Sequence, residues 1–338
     1  MSDKYLRKVG LFIGNSTTGN FLDLSELRIR FTIRNADQET PDNAMIRVYN
    51  LSNETIQKIV GPNGRSEFTH VYLNAGYENG FYGIIFEGTV CQIRYGRENA
   101  IDSYMDILAA NGDIFYGSVT NVSVSSKNTV QSAVNNLIVA ANSYNQSLGA
   151  NTPNISLGAG KDAETIRFLP LYIPLIRGVT LFGMARSLLR NFMATIDYSM
   201  RVEGNKLVIT PKDGYISGGG ITEINTANGM VGIPEQTDQG VKVTCLLNPN
   251  IRIGYLIRLN NSELTRTNFI GQVFGGENAA AIQFNSWGKY QYMAPLSPDG
   301  LYRAFAVEHT GDTRGLEWYT HIIGLATDPT TKRTTDNG

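Results

Sequence analysis

Two stretches decide the reading of this chain: GRENAIDSYMDIL at residues 96–108 and GDTRGLEWYTHII at residues 311–323. Laid together without a gap, Gly96 meets Gly311, Ala100 meets Gly315, Ile101 meets Leu316 and Asp102 meets Glu317. Tyr104 then meets Tyr319, and Ile107-Leu108 meets Ile322-Ile323. Each copy reads as a β-hairpin. A strand (Thr89 to Tyr95; Tyr302 to His309) enters a polar, glycine-bearing turn and returns with apolar residues at alternate places. Two hairpins with matched apolar, acidic and tyrosine positions imply one β-domain present twice.

Working outward from the first copy, LRIRFTIRN alternates: Leu27, Ile29, Phe31 and Ile33 face one way, and Arg28, Arg30, Thr32 and Arg34 the other. That is a half-buried strand. Its arginines admit a nucleic-acid reading, but a solvated strand face accounts for them more simply. The loop NADQETPDN leads to a second strand, AMIRVYNLS, and Ser52–Ile59 forms a short helix capped by Ser52 or Asn53. Further strands are expected at His70–Tyr77, Tyr82–Arg94 and Ala100–Asn111, making an antiparallel sheet or barrel that ends near residue 118.

From 119 to 233 the character changes to an α/β insert. Lys127–Tyr144 is helical, with Val130, Val134, Leu137, Ile138 and Ala141 on one face. A second helix is expected from Thr180, as N-cap, to Arg190, with Leu181, Met184, Ala185, Leu188, Leu189 and Phe192 facing the core. ATIDYSMRVEGNKLVITP reads as a hairpin turning at Glu203-Gly204-Asn205. Gly218-Gly219-Gly220 lacks the Lys-Ser/Thr of a phosphate loop and reads as a joint. The second β-domain spans 234–326: a strand at Val241–Leu247, a turn at Asn248-Pro249-Asn250, a strand through Leu259, a long loop over 262–300 and the closing hairpin. Residues 327–338 form a polar tail. The expected fold is mainly β: two similar antiparallel β-barrels separated by a helix-plus-hairpin insert.

Composition fits this plan. The 338 residues exceed one typical domain, and 42% hydrophobic with 17% charged residues supports packed cores. The 35 glycines, 17 tyrosines and 14 phenylalanines favour turns and pleated faces. A net charge of −1 provides no global field to gather nucleic acid. Cys91 and Cys245 sit among alternating apolar residues and read as buried thiols, outside any disulfide framework or thiolate metal set. No signal peptide or bilayer-length apolar run is recognisable, so folding in a cytoplasm-like compartment without membrane insertion is expected.

Catalytic signals are absent from the residue patterns. His70, His309 and His321 are the three histidines. The last two lie on opposite strands of one hairpin without the carboxylates or thiols of a zinc shell. A glycosidase-like pair such as Glu67 and Glu87 is permitted by spacing alone and favoured by nothing else. The expectation is no enzyme activity, no cofactor and no metal. The GDTRG turn at 311–315 reads equally well as a turn that docks on a partner and as a purely structural one. In the docking case the contacts are Asp312, Arg314, Trp318 and Tyr319, with Arg28 and Arg30 on the first strand.

Four segments together resemble the baseplate hub proteins of tailed bacteriophages, of the late-control-protein-D type. They are LRIRFTIRNADQETPDNAMIRVYNLS, GVTLFGMARSLLRNFMATIDYSMRVEGNKLVITP, GVKVTCLLNPNIRIGYLIRL and AVEHTGDTRGLEWYTHIIGL, in the family's order and across most of the chain. The resemblance implies a homotrimer whose subunits each contribute two tube-like barrels around a channel for genome passage. Its six similar surfaces meet a sixfold tail tube protein, while its threefold face meets a central spike protein. Other baseplate proteins would touch the insert, and the tape measure protein and passing DNA would make transient contact. The location implied is the virion tail baseplate, assembled in the host cytoplasm. No lysozyme or peptidase segment is recognisable, so digestion of cell wall falls to another polypeptide. The alternatives are a virion β-protein that binds or cleaves carbohydrate, and a tail-tube or neck component.

Overall fold

The computed structural model describes residues 6–15, 18–37, 41–61, 68–147, 154–157, 174–212, 214–216, 220–237, 240–260, 282–284, 290–292 and 296–327. The first region contains β1 (Arg7–Asn15), β2 (Asn20–Asp23), β3 (Ile29–Ala36) and β4 (Asn43–Tyr49). After helix α1 (Asn53–Val60) come β5 (His70–Tyr77), β6 (Tyr82–Arg97) and β7 (Ser103–Ala110). The alternation read in β3 holds: Ile29, Phe31 and Ile33 are buried while Arg30 and Arg34 are exposed. Ser52 caps α1, its side chain accepting from the Thr55 N–H at 3.1 Å.

The insert follows with α2 (Asp113–Gly117), β8 (Val119–Val124), α3 (Val130–Ser147), β9 (Ser156–Leu157), β10 (Val179–Met184), α4 (Ala185–Thr195), β11 (Tyr198–Glu203) and β12 (Lys206–Pro211). Its own core takes all five residues expected on the α3 face. The second helix departs from expectation. Thr180 lies in β10, paired with β8, and α4 begins only at Ala185 with Met184 half-exposed. Val179, Thr180, Leu181 and Phe182 form a β-rich run whose ladder to β8 overrides the helical spacing read from it. The β11–β12 hairpin turns on Gly204-Asn205, with Gly204 at a left-handed φ of 59°.

The last region comprises β13 (Ile221–Ile224), β14 (Met230–Thr237), β15 (Gly240–Leu246), β16 (Leu256–Leu259), β17 (Ile282–Phe284), β18 (Tyr290–Tyr292), β19 (Leu301–Asp312) and β20 (Trp318–Ala326). Because β13 pairs with β16 and β14 with β15, its sheet begins at Ile221, upstream of the boundary expected at 234. Gly218 and Gly219, most of the 262–300 loop and the tail from 328 lie outside the described residues.

The two β regions share a strand order. Taken in chain order, β1, β3, β4, β5, β6 and β7 lie across the sheet as β3-β4-β7-β6-β5-β1. The strands β13, β14, β15, β16, β19 and β20 lie as β14-β15-β20-β19-β16-β13, the same permutation. Both hairpins carry a bulge at the same place: Cys91 is skipped between Val90 and Gln92, and Phe305 between Ala304 and Ala306. In each copy the bulge sits opposite matched residues, Leu108-Ala109 and Ile323-Gly324. Coincident strand order and coincident irregularity make the duplication structural. One difference is that β1 runs antiparallel to β5 whereas β13 runs parallel to β16.

The ungapped echo holds on the returning strands and slips by one on the leading strands. Ile107 opposes Ile93, and its counterpart Ile322 opposes Val307, so the second copy has one more residue in its turn. Gly96 is therefore equivalent to Thr310 and does not match Gly311. A one-residue slip turns every side chain to the opposite face, so the longer turn is what keeps Val307 inward. The bulge also corrects the reading of Cys91, which is exposed, while Cys245 is buried as expected.

The ladders do not close either set into a barrel among the described residues. Instead β19 pairs with β3, fusing both regions into one sheet of 13 strands. Ile107→Ala and Ile322→Ala should each lower the unfolding free energy by about 2–5 kcal/mol. The exposed tip substitutions Ile101→Ala and Leu316→Ala should stay within about 0.5 kcal/mol in the same denaturant titration.

Candidate functional interface

The β19–β3 seam brings together most of the residues singled out in the sequence. Ala306–Asp312 runs antiparallel to Arg30–Ala36, and Gly311 lies opposite Phe31. Trp318 is buried at 1% exposure, edge-on to Phe31 at 5.5 Å. It joins the first region's core although it belongs to the last strand, and Leu247, just after β15, joins that core as well. Burying roughly 200 Å² of indole at about 25 cal/mol/Å² contributes about 5 kcal/mol before entropy. Gly311 makes room for this packing: a Cβ there would meet Phe31 Cζ at 2.4 Å and Trp318 Cε3 at 2.9 Å.

Polar contacts fasten the turn. The Arg28 guanidinium donates to both oxygens of Asp312, at 2.7 and 3.3 Å. Burial by itself raises the Asp312 carboxyl, but Arg28 and the N–H groups of Arg314 and Gly315 outweigh it and hold its pKa below the usual range. The Thr313 N–H donates to Ile29 O and its hydroxyl accepts from Ile29 N–H, both at 3.0 Å. Arg7 stands over the Trp318 ring at 5.4 Å and donates to Asp312 O, Gly315 O and Leu316 O. Arg30 reaches Glu317 at 3.6 Å, both side chains half-exposed, and contributes little on its own. Thus Asp312, Trp318, Arg28 and Arg30 each have a partner within the chain, and the GDTRG turn lies against β3, with Arg7 of β1 bonded to its carbonyls. Tyr319 is half-buried beside His321, and Arg314 is exposed.

At the other end of the seam three cores meet around buried charge. Arg303 on β19 pairs with Asp37 at 3.2 Å, both nearly inaccessible, and Ser199 of the insert donates to Asp37 at 2.8 Å. Arg201, also buried, donates to Glu203 at 3.0 Å and to Ile253 O at 3.1 Å. Asp42 accepts from the Ala36 N–H. Burial raises its pKa to about 7, against the pull of Arg201. The sequence reading missed this cluster, because Asp37 and Asp42 sit in a stretch whose composition reads as loop.

Two cavities adjoin the cluster. One of about 340 Å³ is walled by Asp42, Glu87, Arg201, Glu203 and His309, and one of about 670 Å³ by Asp37, Arg186, Arg190 and Lys212. Each carboxylate of the smaller cavity is held by a cation or an N–H group: Glu203 by Arg201 and Arg252, and Glu87 by Asn205. This is an arrangement that fixes elements. Glu67, the proposed companion of Glu87, lies outside the described residues. His309 is buried against Thr320 and its pKa is lowered to about 4 by burial and then by His321. His321 instead meets Thr244, so the two imidazoles do not converge. No cluster suited to a metal ion occurs among the described residues, and no helix there is long and apolar enough to cross a membrane.

With this geometry in place, the comparisons locate the chain among known proteins. Residues 179–267 match the family model described as baseplate hub gp41. A tail protein from Neisseria meningitidis MC58 is similar in structure, with a TM-score of 0.53 at 8% identity, over 95% of this chain and 96% of that one. The 43 kDa tail protein of prophage MuSo2 from Shewanella oneidensis matches with a TM-score of 0.53 at 7% identity, over 95% and 98%. The E. coli c3393 protein, described as a type VI secretion component similar to T4 tail proteins gp27 and gp5, matches with a TM-score of 0.51 at 11% identity. That match covers 89% of this chain and 74% of the other. No curated protein matches the sequence at a significant level. The fold is that of phage tail proteins, and over residues 179–267 the sequence matches a baseplate hub model.

Two outcomes test the interface. Gly311→Ala should destabilise the chain by about 1–3 kcal/mol through overpacking against Phe31, read as a lowered urea midpoint. Asp42 keeps its proton to about pH 7 when folded, against 3.8 for an ordinary aspartate. The folded state therefore binds more protons between those values, and this contribution is lost as pH rises through about 7. The melting temperature of Asp42→Asn, relative to the native chain, should rise from about pH 4 to about pH 7 and level off above that. The limit is about 1.4 kcal/mol per pH unit. His309 has the opposite sign, its contribution being lost as pH falls from 6.5 through about 4.

Proposed function

We propose that this chain is a structural, non-enzymatic subunit of a phage tail baseplate hub. In this reading three copies form a ring that joins a sixfold tail tube to a threefold central spike and lines the channel through which the genome passes. The observation that carries it is the repeated strand order with its repeated bulge, Cys91 in one hairpin and Phe305 in the other. A chain that presents one architecture twice lets three subunits offer six similar surfaces, which is the requirement of a threefold-to-sixfold adapter. The match to a baseplate hub model and the phage-tail folds support the structural role.

The tail tube protein would sit on the pseudo-sixfold face, and the spike protein on the threefold face. Other baseplate proteins would meet the insert, which has a core of its own and stands apart from the continuous sheet. The tape measure protein and DNA would touch the channel wall in passing. Assembly would occur in the host cytoplasm before incorporation into the virion tail. Arg314 and Leu316, exposed at the second hairpin tip, are the parts of the GDTRG region left outward for such partners.

Native mass spectrometry or light scattering on the purified protein should give a mass of three chains, and symmetry-averaged imaging a ring with six similar lobes. A stable monomer that binds polysaccharide would overturn the hub reading in favour of a carbohydrate protein. A stable hexamer would favour a tube or neck component.

A further inference from the structure

We infer that the outer edge of β6 at Cys91–Arg97 pairs with the outer edge of β14 from a second copy of this chain, repeating between subunits the ladder that β19 and β3 make within one. The inference rests on the ring reading and adds to it the strands and register of the subunit contact.

The argument is one of equivalence. In the shared strand order β6 holds the place of β19, and β14 holds the place of β3. Within the chain, β19 changes partners along its outer side. Leu301–Arg303 pairs with β16, and Ala306–Asp312, beyond the bulge, pairs with β3. The strand β6 follows the same course as far as the bulge, its outer side paired with β5 up to Thr89. Beyond Cys91, where β19 finds β3, no ladder of the described residues covers β6 on that side. The complementary edge is β14, which ends the sheet and is laddered only to β15.

Within one chain no ladder of the described residues joins these two edges. The strands β7, β4, β3, β19, β20 and β15 lie between them in the sheet. A contact between different edges of identical chains is head-to-tail and closes into a ring when the rotation allows. Both edges also look like places where another strand adds. Tyr95 is 61% exposed on β6, and Ile233 is 66% exposed on β14, where Val231 and Glu235 are exposed as well. Strand addition is a common use of an uncovered edge, and on β14 it is confined to Glu235–Thr237, because the register shifts between Val231 and Glu235 and Pro234 has no N–H to donate. Arg94, two residues from Gly96 and on the same face, would stand diagonal to Glu235 across the contact.

Transferring the intrachain register gives the pairs. Thr310 opposite Thr32 becomes Gly96 opposite Glu235, and Glu308 opposite Arg34 becomes Arg94 opposite Thr237. The clamp is not copied: Gly229 stands where Arg28 does, since Met230 opposes Cys245 as Ile29 opposes Val48. The contact between chains therefore depends on backbone hydrogen bonds and apolar cover, without a bidentate ion pair.

The test is a disulfide across the transferred register. In a Cys91→Ser background, Gly96→Cys and Glu235→Cys are combined, and oxidised protein is analysed on a non-reducing denaturing gel. A Cβ at Gly96 would stand 3.2 Å from the Tyr104 hydroxyl, at the end of a side chain that must give by a few tenths of an ångström to admit it. The expected result is a covalent three-chain species from the double variant and none from either single variant. Hydrogen exchange on the native protein should show slowed amides at Arg94–Arg97 and Glu235 on assembly. If native mass spectrometry gives trimers but the double variant does not cross-link and these amides stay fast, the edge pairing is wrong and the ring stands. If the protein is monomeric throughout, the ring reading falls and the pairing with it. Cross-linked open chains of other lengths would keep the pairing and remove the threefold ring.

Discussion

The ladder between β19 and β3 is the constraint on which the rest depends. It requires a glycine at 311 so that the Phe31 ring can enter beside Trp318. It also requires Arg28 to meet Asp312 at the point where the strand becomes a turn. With both in place, residues near the two ends of the chain share one sheet, and a tryptophan from the last strand completes the core of the first region. Two hydrophobic cores that sequence places far apart become neighbours through a single run of backbone hydrogen bonds.

The same seam places the insert. Asp37, just beyond β3, is reached by Arg303 from the last region and by Ser199 from the insert, so one buried carboxylate touches all three parts. Buried ion pairs are weak sources of net stability, because desolvation offsets attraction, yet removing one partner is costly. Their effect here is geometric. They admit one arrangement of three cores and penalise the others.

Duplication explains both the likenesses and the differences of the two halves. The bulges at Cys91 and Phe305 bend each long leading strand, and at the second of them β19 changes partners from β16 to β3. Side chains at the seam have diverged: Gly311 is equivalent to Arg97, and Arg28 to Gly229. The seam inside the chain carries the packed tryptophan and the bidentate clamp.

Alternation at two or three and a half residues made much of this legible in advance. The strand faces of β3, the buried face of α3, the β11–β12 turn and the existence of two related hairpins follow from side-chain period and turn chemistry, which are local. What local chemistry does not encode is which strand neighbours which. The run at 179–184 has helical spacing, but its ladder to β8 makes it a strand, and the bulge at Cys91 turns an apparently inward thiol outward. Asp312, Trp318, Arg28 and Arg30 were singled out as contacts for a partner, whereas the fold pairs Arg28 with Asp312, Arg30 with Glu317 and Trp318 with Phe31. The sequence alone determined a repeated β-architecture around a helical insert. Tertiary structure decided that the repeats merge into one sheet, because backbone edges pair by geometry, which residue identity influences only weakly.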